Sequence, residues 1–209
     1  MTQASDETPI VHIVDDDDLL RFGLDSLLRS VGLSARTYAS THEFLKEDRL
    51  DGPGCIVLDV RLPGTSGLDF QEELVALGIR LPVVLMTGHG DIPMTVRAMK
   101  AGAVDFLPKP FREQDMIDAV TVAINRDRLR RASETQTGAV VDRYATLSQR
   151  EREVMALVTK GKMNKQIAAE LGLSEVTVKI HRGAAMRKME ARSLADLVRM
   201  ADTLEDRTR

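Results

Sequence analysis

The sequence predicts an α/β domain with a doubly wound, five-stranded parallel sheet, followed by a small all-α domain. Two observations predict this order: short apolar runs alternate with helical periodicity up to about residue 125, and helix start and stop signals replace that alternation after residue 146. Strands that alternate with helices form a parallel sheet with helices on both faces, because right-handed crossovers return each strand in the same direction.

Five segments have the length and the β-branched character of buried strands. They are IVHIV (10–14), LSARTY (33–38), CIVL (55–58), PVVLM (82–86) and AVDFL (103–107). Between them apolar residues recur about every 3.6 residues, for example from Leu19 to Val31, which indicates amphipathic helices. Ligands of such folds bind beyond the carboxyl ends of the strands, so the residues that directly follow each strand are the candidates for function.

The boundary between the two domains is expected in a polar stretch. The last helix of the first domain should end near residue 131, because the charged continuation contains Gly138 and few apolar residues. We therefore expect the first domain over residues 8–126, a helical and polar linker over 127–146, and the second domain over 147–209.

Start and stop signals in the second domain predict short helices joined by tight turns. Ser148 and Glu151 form a capping-box pattern that opens the first of these helices. A fourth helix is expected around residues 193–201. Gly161 is expected to end the first helix. Asn164 and Ser174 are the expected N-caps of the second and third helices, which Gly172 separates.

Composition and charge narrow the functional classes. The chain is 43% hydrophobic and 29% charged, which is typical of globular proteins and excludes disordered and collagen-like classes. No basic and apolar signal segment opens the sequence and no apolar run could span a bilayer, so we expect a cytoplasmic protein without a membrane partner. Residues 1–145 carry 16 Lys and Arg against 23 Asp and Glu, whereas 146–209 carry 13 against 9, which favours a polyanionic partner for the second domain.

Acidic residues follow two of the predicted strands. Asp15, Asp16, Asp17 and Asp18 come directly after the first strand, and Asp59 ends the third. Carboxylates held close together repel one another unless a hard divalent cation lies among them, and Mg²⁺ binds carboxylate oxygens together with water and phosphate oxygens. The alternative interpretation of the four-Asp run is an acidic helix start, which the helix dipole favours.

A hydroxyl and an ammonium group follow two further strands, at Thr87 and at Lys109. A carboxylate that attacks phosphorus needs a metal and a cation to neutralise the developing charge, and a hydrogen-bond donor that can follow the transferred group. Asp59, Mg²⁺, Lys109 and Thr87 supply these parts. The sequence therefore predicts a phosphoryl-accepting site at the carboxyl edge of the sheet.

About 120 residues resemble the receiver domain of two-component response regulators, which has a flavodoxin-like fold. The motifs that carry the resemblance are VDDD (14–17), LDVRLPGTSG (58–67), MTGHGD (86–91) and DFLPKPF (105–111). The resemblance implies a partner histidine kinase and a magnesium cofactor. By this resemblance, Asp59 accepts the phosphoryl group, Thr87 and Lys109 take part in catalysis, and Phe106 belongs to the conformational switch. The residues that bind the metal are Asp15, Asp16, Asp59 and Arg61, the last through its backbone carbonyl.

The same resemblance implies how phosphorylation is transmitted. The phosphoryl group adds negative charge to Asp59, Thr87 moves toward it, and Phe106 turns into the vacated space. The face that receivers use to form homodimers is thereby repacked. A cis peptide bond before Pro110 is expected to aim Lys109 into the site, and Asp17 and Asp18 are expected to be structural helix-capping acids.

Residues 147–189 resemble the LuxR-type helix-turn-helix domain shared by the NarL and FixJ response regulators. A helical wheel of residues 175–189 places Val178, Ala185 and Met189 on the core stripe, so the opposite face is the expected reading surface. Lys179 can contact phosphate or guanine, and Ile180 can contact thymine methyl groups. The expected DNA-binding residues are Lys165, Thr177, Lys179, Ile180, Arg182, Gly183, Arg187 and Lys188, of which Lys165, Arg187 and Lys188 are phosphate anchors.

Both resemblances place the chain in the FixJ/NarL family, closest to the FixJ-like branch. They predict a phosphorylation-dependent transcriptional activator, not an enzyme, that binds promoter DNA, contacts RNA polymerase and loses its phosphoryl group by autodephosphorylation. One alternative is an aspartate-nucleophile phosphohydrolase, but Arg61 stands where those enzymes place a second Asp. Another is a constitutive DNA-binding protein whose receiver is only a scaffold, which would bind DNA unchanged after Asp59→Asn.

Overall fold

A computed structural model describes residues 8–47, 50, 52–88 and 92–206, with the side chain of the last residue left out. The chain divides into two compact units, residues 1–130 and 131–209. None of the helices in the described ranges combines the length and the apolar character that crossing a membrane requires.

The first unit contains the predicted parallel sheet. Its strands lie in the order β2-β1-β3-β6-β7, and all neighbouring pairs within the described residues are parallel. Strands β3 and β6 are buried along their whole length, which explains why they are nearly continuous apolar runs. The strands are β1 (Ile10–Val14), β2 (Ser34–Tyr38), β3 (Gly54–Asp59), β4 (Arg61–Leu62), β5 (Thr65–Ser66), β6 (Val83–Thr87) and β7 (Asp105–Pro108).

Helices cover both faces of this sheet, so the doubly wound α/β prediction is confirmed. One apolar cluster contains Val11 and Val57 with residues of α1 and α5, and the other contains Ile56 and Leu58 with residues of α2 and α3. Strands β4 and β5 form a small antiparallel hairpin outside the sheet, which the sequence did not predict. The helices are α1 (Asp18–Ser30), α2 (Thr41–Phe44), α3 (Gly67–Ala76), α4 (Ile92–Lys100) and α5 (Glu113–Ala145).

Helix α5 is longer than the sequence predicted. It was expected to end near residue 131, but it continues without interruption to Ala145. The continuation contains no proline, and a single interior glycine such as Gly138 costs a helix only about 1 kcal/mol. Val140 is buried and Tyr144 is partly buried in the core of the second unit, so tertiary packing holds the end of a helix whose surface is otherwise polar.

The second unit is helical, as predicted. It contains α6 (Gln149–Thr159), α7 (Asn164–Leu171), α8 (Glu175–Lys188) and α9 (Leu194–Asp206). The predicted core stripe of α8 is confirmed, because Val178, Ala185 and Met189 are fully buried. Helix α9 extends five residues beyond the predicted residue 201, because Leu204 still packs on the core of this unit.

The helix-start predictions are confirmed at Ser148 and Ser174 and wrong at Asn164. The Ser148 Oγ accepts from the Glu151 N–H at 3.3 Å, and Glu151 Oε2 accepts from the Ser148 N–H at 2.7 Å, which is the expected capping box. Asn164 is the first residue of α7 instead of its N-cap, and the backbone N–H at Met163 donates to Gln166 Oε1. The Asn164 side chain is free for another partner, described below.

Candidate functional sites

Three carboxylates meet at the carboxyl edge of the sheet. Strands β1 and β3 pair Val14 with Leu58, so Asp15 and Asp59 follow at adjacent positions. Ligand oxygens of Asp15, Asp16 and Asp59 all lie within 4.8 Å of one another. Asp15 is fully buried and Asp59 is 6% exposed, whereas Asp16 is exposed.

Lys109 connects the two buried carboxylates. Its Nζ lies 2.7 Å from Asp15 Oδ2 and 3.3 Å from Asp59 Oδ1. Its backbone N–H donates to the Thr87 carbonyl at 2.6 Å, and the Lys109–Pro110 peptide bond is cis, as expected from the sequence. The hydrogen bond joins the end of β7 to the end of β6, and the two ion pairs hold the ammonium group at the acidic cluster.

The pKa of Asp59 is raised above its ordinary value. Burial is the largest cause, because it disfavours the charged form, and the neighbouring Asp15 carboxylate raises the pKa further. Lys109 and the backbone N–H of Arg61 oppose this rise. A carboxylate that is poorly solvated and more basic than usual is a better nucleophile than one in water.

The acidic cluster fits a hard divalent cation. Asp59 Oδ1 is buried, and apart from its 3.3 Å ion pair with Lys109 Nζ it accepts no hydrogen bond from the described residues. Three carboxylates face one lysine here, so negative charge remains in excess. An oxygen-rich site with excess negative charge and an unsatisfied buried oxygen is the donor set that Mg²⁺ requires.

Two residues of the predicted switch lie on neighbouring strands. Thr87 ends β6 and is fully buried, and Phe106 lies in β7, paired with Leu85 of β6. Phe106 is partly buried and packs against the apolar cluster that contains Leu58.

The other two acids of the four-Asp run interact with α1, but only Asp17 caps the helix as expected. Asp17 is the N-cap of α1 and accepts hydrogen bonds from the N–H groups of Leu19 and Leu20. Asp18 forms an ion pair with Arg21 in the first turn of the same helix.

Two residues that support the site were missed in the sequence. The Arg21 guanidinium donates to the backbone carbonyl of Asp15. Gly67 packs so tightly that a Cβ there would lie 2.2 Å from the Asp59 carbonyl oxygen, and its N–H donates to Val60 O at 2.8 Å. The two glycines of the PGTSG segment were the available signal for this close approach.

Helix α8 presents an exposed face opposite its buried stripe. Lys179, Ile180 and Arg187 are exposed, and Gly183 lies between them in the same face. Lys165 is exposed on the first turn of α7. These five residues are available to a partner of this unit.

Three other predicted DNA-binding residues have hydrogen-bond partners within the protein, and their role in DNA binding stays a prediction. The Thr177 N–H and hydroxyl both bond to the N-cap Ser174. Arg182 donates to Asn164 Oδ1 at 3.2 Å and so links α8 to the start of α7. Lys188 lies 2.6 Å from Glu151 Oε2, and this hydrogen bond lowers the pKa of Glu151. Lys188 thereby fixes the end of α8 to the start of α6.

The sequence interpretation also missed one exposed residue of α8. Val176, in the first turn, is 69% exposed and lies one turn before Ile180. Its helical spacing from Ile180 and Gly183 was the available signal.

Comparisons with known proteins identify both units. Residues 11–121 match the response regulator receiver domain, and residues 145–201 match the bacterial regulatory proteins of the luxR family. Nodulation protein W of Bradyrhizobium diazoefficiens is 56% identical over 203 residues, which cover 97% of this chain and 89% of that protein. The transcriptional regulatory protein FixJ of Azorhizobium caulinodans is 47% identical over 191 residues, which cover 91% of this chain and 90% of that protein.

A solved structure supports the same assignment. The response regulator StyR is similar with a TM-score of 0.84 and 47% identity, over 94% of this chain and 99% of that one. A receiver followed by a LuxR-type domain is the organisation of transcriptional response regulators. The chain therefore belongs to the NarL/FixJ family of two-component response regulators, which bind DNA to control transcription.

Proposed function

We propose that this regulator is activated when a sensor histidine kinase phosphorylates Asp59. The observation that carries the proposal is the position of the Asp59 carboxylate, which is buried, forms an ion pair with Lys109 and lies beside the Asp15–Asp16 pair. The exposed carboxylates in the described part of the chain lack this combination of burial and a shared cation.

Phosphoryl transfer forms a bond between an Asp59 oxygen and phosphorus and breaks the bond from phosphorus to the kinase imidazole nitrogen, which keeps the electron pair. Lys109 neutralises the charge on the phosphoryl oxygens, and the Thr87 hydroxyl donates to one of them. Asp15, Asp16, Asp59 and the Arg61 carbonyl would hold Mg²⁺, which supplies further charge neutralisation when bound. Loss of the group to water by autodephosphorylation resets the site.

The phosphoryl group adds charge and acceptor oxygens next to a buried strand end. Thr87 moves toward these oxygens, and Phe106 takes up the space that Thr87 leaves. Because β7, which carries Phe106, contacts α4, the inward turn of Phe106 repacks the surface formed by α4, β7 and α5. We propose that two phosphorylated receivers associate through this surface and that the dimer activates transcription together with RNA polymerase.

The second unit binds promoter DNA through α8. Lys179, Ile180 and Gly183 face the bases of the major groove, and Arg187 with Lys165 contacts phosphates. Thr177, Arg182 and Lys188 complete the DNA-binding set, and the bonds described above position them on α8. We assign residues 8–126 to the receiver, 127–146 to the connecting segment and 147–209 to the DNA-binding domain.

The test compares wild-type protein with Asp59→Asn. Both are incubated with acetyl phosphate and Mg²⁺, and promoter binding is measured by fluorescence anisotropy alongside intact mass. The wild type should gain one phosphoryl group and bind DNA more tightly, and Asp59→Asn should do neither. An equal response of both proteins would contradict the proposal, and tight binding by both without acetyl phosphate would favour a constitutive DNA-binding protein.

A further inference from the structure

Val176 and Ile180 form an exposed apolar pair on the first two turns of α8. They are 69% and 64% exposed, and residues four apart lie on the same face of a helix. Neither belongs to the apolar core of the second unit, which α8 contacts through Val178 and Ala185. Within the described residues, this apolar pair is therefore not needed for packing.

Both side chains are also unfavourable for helix formation at an exposed position. β-Branched residues have lower helix propensity than the alanine or lysine that such a position would tolerate. The same branching restricts χ1 to one main rotamer in a helix, so the methyl groups are held in fixed positions. Rigid, exposed methyl groups lose little side-chain entropy when a partner covers them.

The surroundings of the apolar pair favour DNA as its partner. In the sequence Lys179 lies between the two residues and is exposed. Arg187, near the end of the helix, is exposed on the same face as Ile180. Cations beside the pair complement the phosphate backbone. The one apolar group that the major groove displays is the C5-methyl of thymine.

We propose that the apolar pair reads the methyl groups of two thymines, which makes Val176 a specificity-determining residue in addition to Ile180. This inference rests on the proposed binding of α8 in the major groove. Four residues advance a helix by about 6 Å at about 1.5 Å per residue. Since bases on one strand are about 3.4 Å apart, the two methyl groups should lie about two base steps from each other.

The experiment replaces thymine by uracil, which removes the methyl group and leaves the Watson–Crick pairing unchanged. The preferred site is first selected from random duplexes with full-length, acetyl-phosphate-treated protein. Each thymine in the half-site is then replaced singly, and binding is measured by fluorescence anisotropy. For wild-type protein we expect two positions at which uracil weakens binding about three- to fivefold, the effect of one buried methyl group.

The variants assign each methyl to a side chain. Val176→Ala should remove the uracil effect at one position and keep it at the other, and Ile180→Ala should do the reverse. Both changes favour helix formation, so thermal melting should show folded protein. Val75→Ala, which trims an exposed valine of α3 in the receiver, is the matched control and should keep both effects.

The possible failures are distinguishable. If wild-type protein selects a specific site but no uracil position weakens binding, the inference is wrong and the proposed function stands. The inference is also wrong if Val176→Ala loses the same affinity for thymine and uracil duplexes, or if the variant loses nothing. If phosphorylated wild-type protein selects no sequence, the proposed DNA binding fails and the inference fails with it.

Discussion

The two domains hold their functional residues in opposite environments. In the receiver, Asp15, Asp59 and Thr87 are buried and fixed by strand ends, and Lys109 spans two carboxylates. In the DNA-binding domain, Lys179 and Ile180, which we propose to read DNA, are exposed on α8. A charge in a buried cluster acts strongly on its neighbours because water does not screen it, whereas an exposed charge acts weakly until a partner covers it.

This difference predicts that single substitutions have large effects in the receiver and graded effects in the DNA-binding domain. The predictions below test it from the largest expected effect to the smallest.

Lys109→Ala should have the largest effect. It removes the cation that, in the proposed mechanism, neutralises phosphoryl oxygens beside Asp59, and loss of one such group costs about 100-fold or more in rate. It should also raise the pKa of Asp59 further, because the Lys109 charge opposes the rise caused by burial. The measurement is the rate of phosphorylation by acetyl phosphate, with Lys46→Ala, an exposed lysine after α2, as the control. A wild-type rate for Lys109→Ala would remove the contrast between the domains.

Lys179→Ala and Lys165→Ala should have intermediate and different effects. If Lys179 contacts a base, its loss costs about 1–3 kcal/mol on the preferred site and relaxes the sequence preference. Lys165→Ala should weaken binding equally on preferred and random duplexes and reduce the salt dependence, because it removes a phosphate contact. Titrations at several salt concentrations separate the two results. Equal losses on both duplexes for Lys179→Ala would place it among the phosphate contacts.

Gly183→Ala should have the smallest effect of the substitutions. It should raise the stability of the protein and lower its affinity for DNA. A Cβ at this position would meet no heavy atom of the described chain within 4 Å, so alanine should stabilise α8 by up to about 1 kcal/mol. The same methyl group would stand between the helix and the bases, so DNA affinity should fall. Gly138→Ala, inside the last third of α5 and equally unobstructed, is the control that should gain stability without losing affinity. Unchanged DNA affinity in Gly183→Ala would show that α8 does not approach DNA at this position.

The receiver was more predictable from sequence than the DNA-binding surface, for a physical reason. A parallel sheet brings the carboxyl ends of its strands to one edge, so Asp15, Asp59, Thr87 and Lys109 could be placed together from strand order alone. A helix wheel distinguishes the buried from the exposed face, but it does not show which exposed residues bind other helices. The bonds from Lys188 to Glu151 and from Arg182 to Asn164 could not be predicted in this way.

The sequence by itself determined the five strands, the acidic cluster, the capping box at Ser148 and the buried stripe of α8, because each depends on local spacing or strand order. Only the tertiary structure decided that α5 continues to Ala145, since the apolar anchors of its last turns lie in another part of the chain. It also decided that Lys188 pairs with Glu151 and that Gly67 is required beside Asp59. Contacts between residues distant in sequence depend on how elements pack together, and no local pattern specifies them.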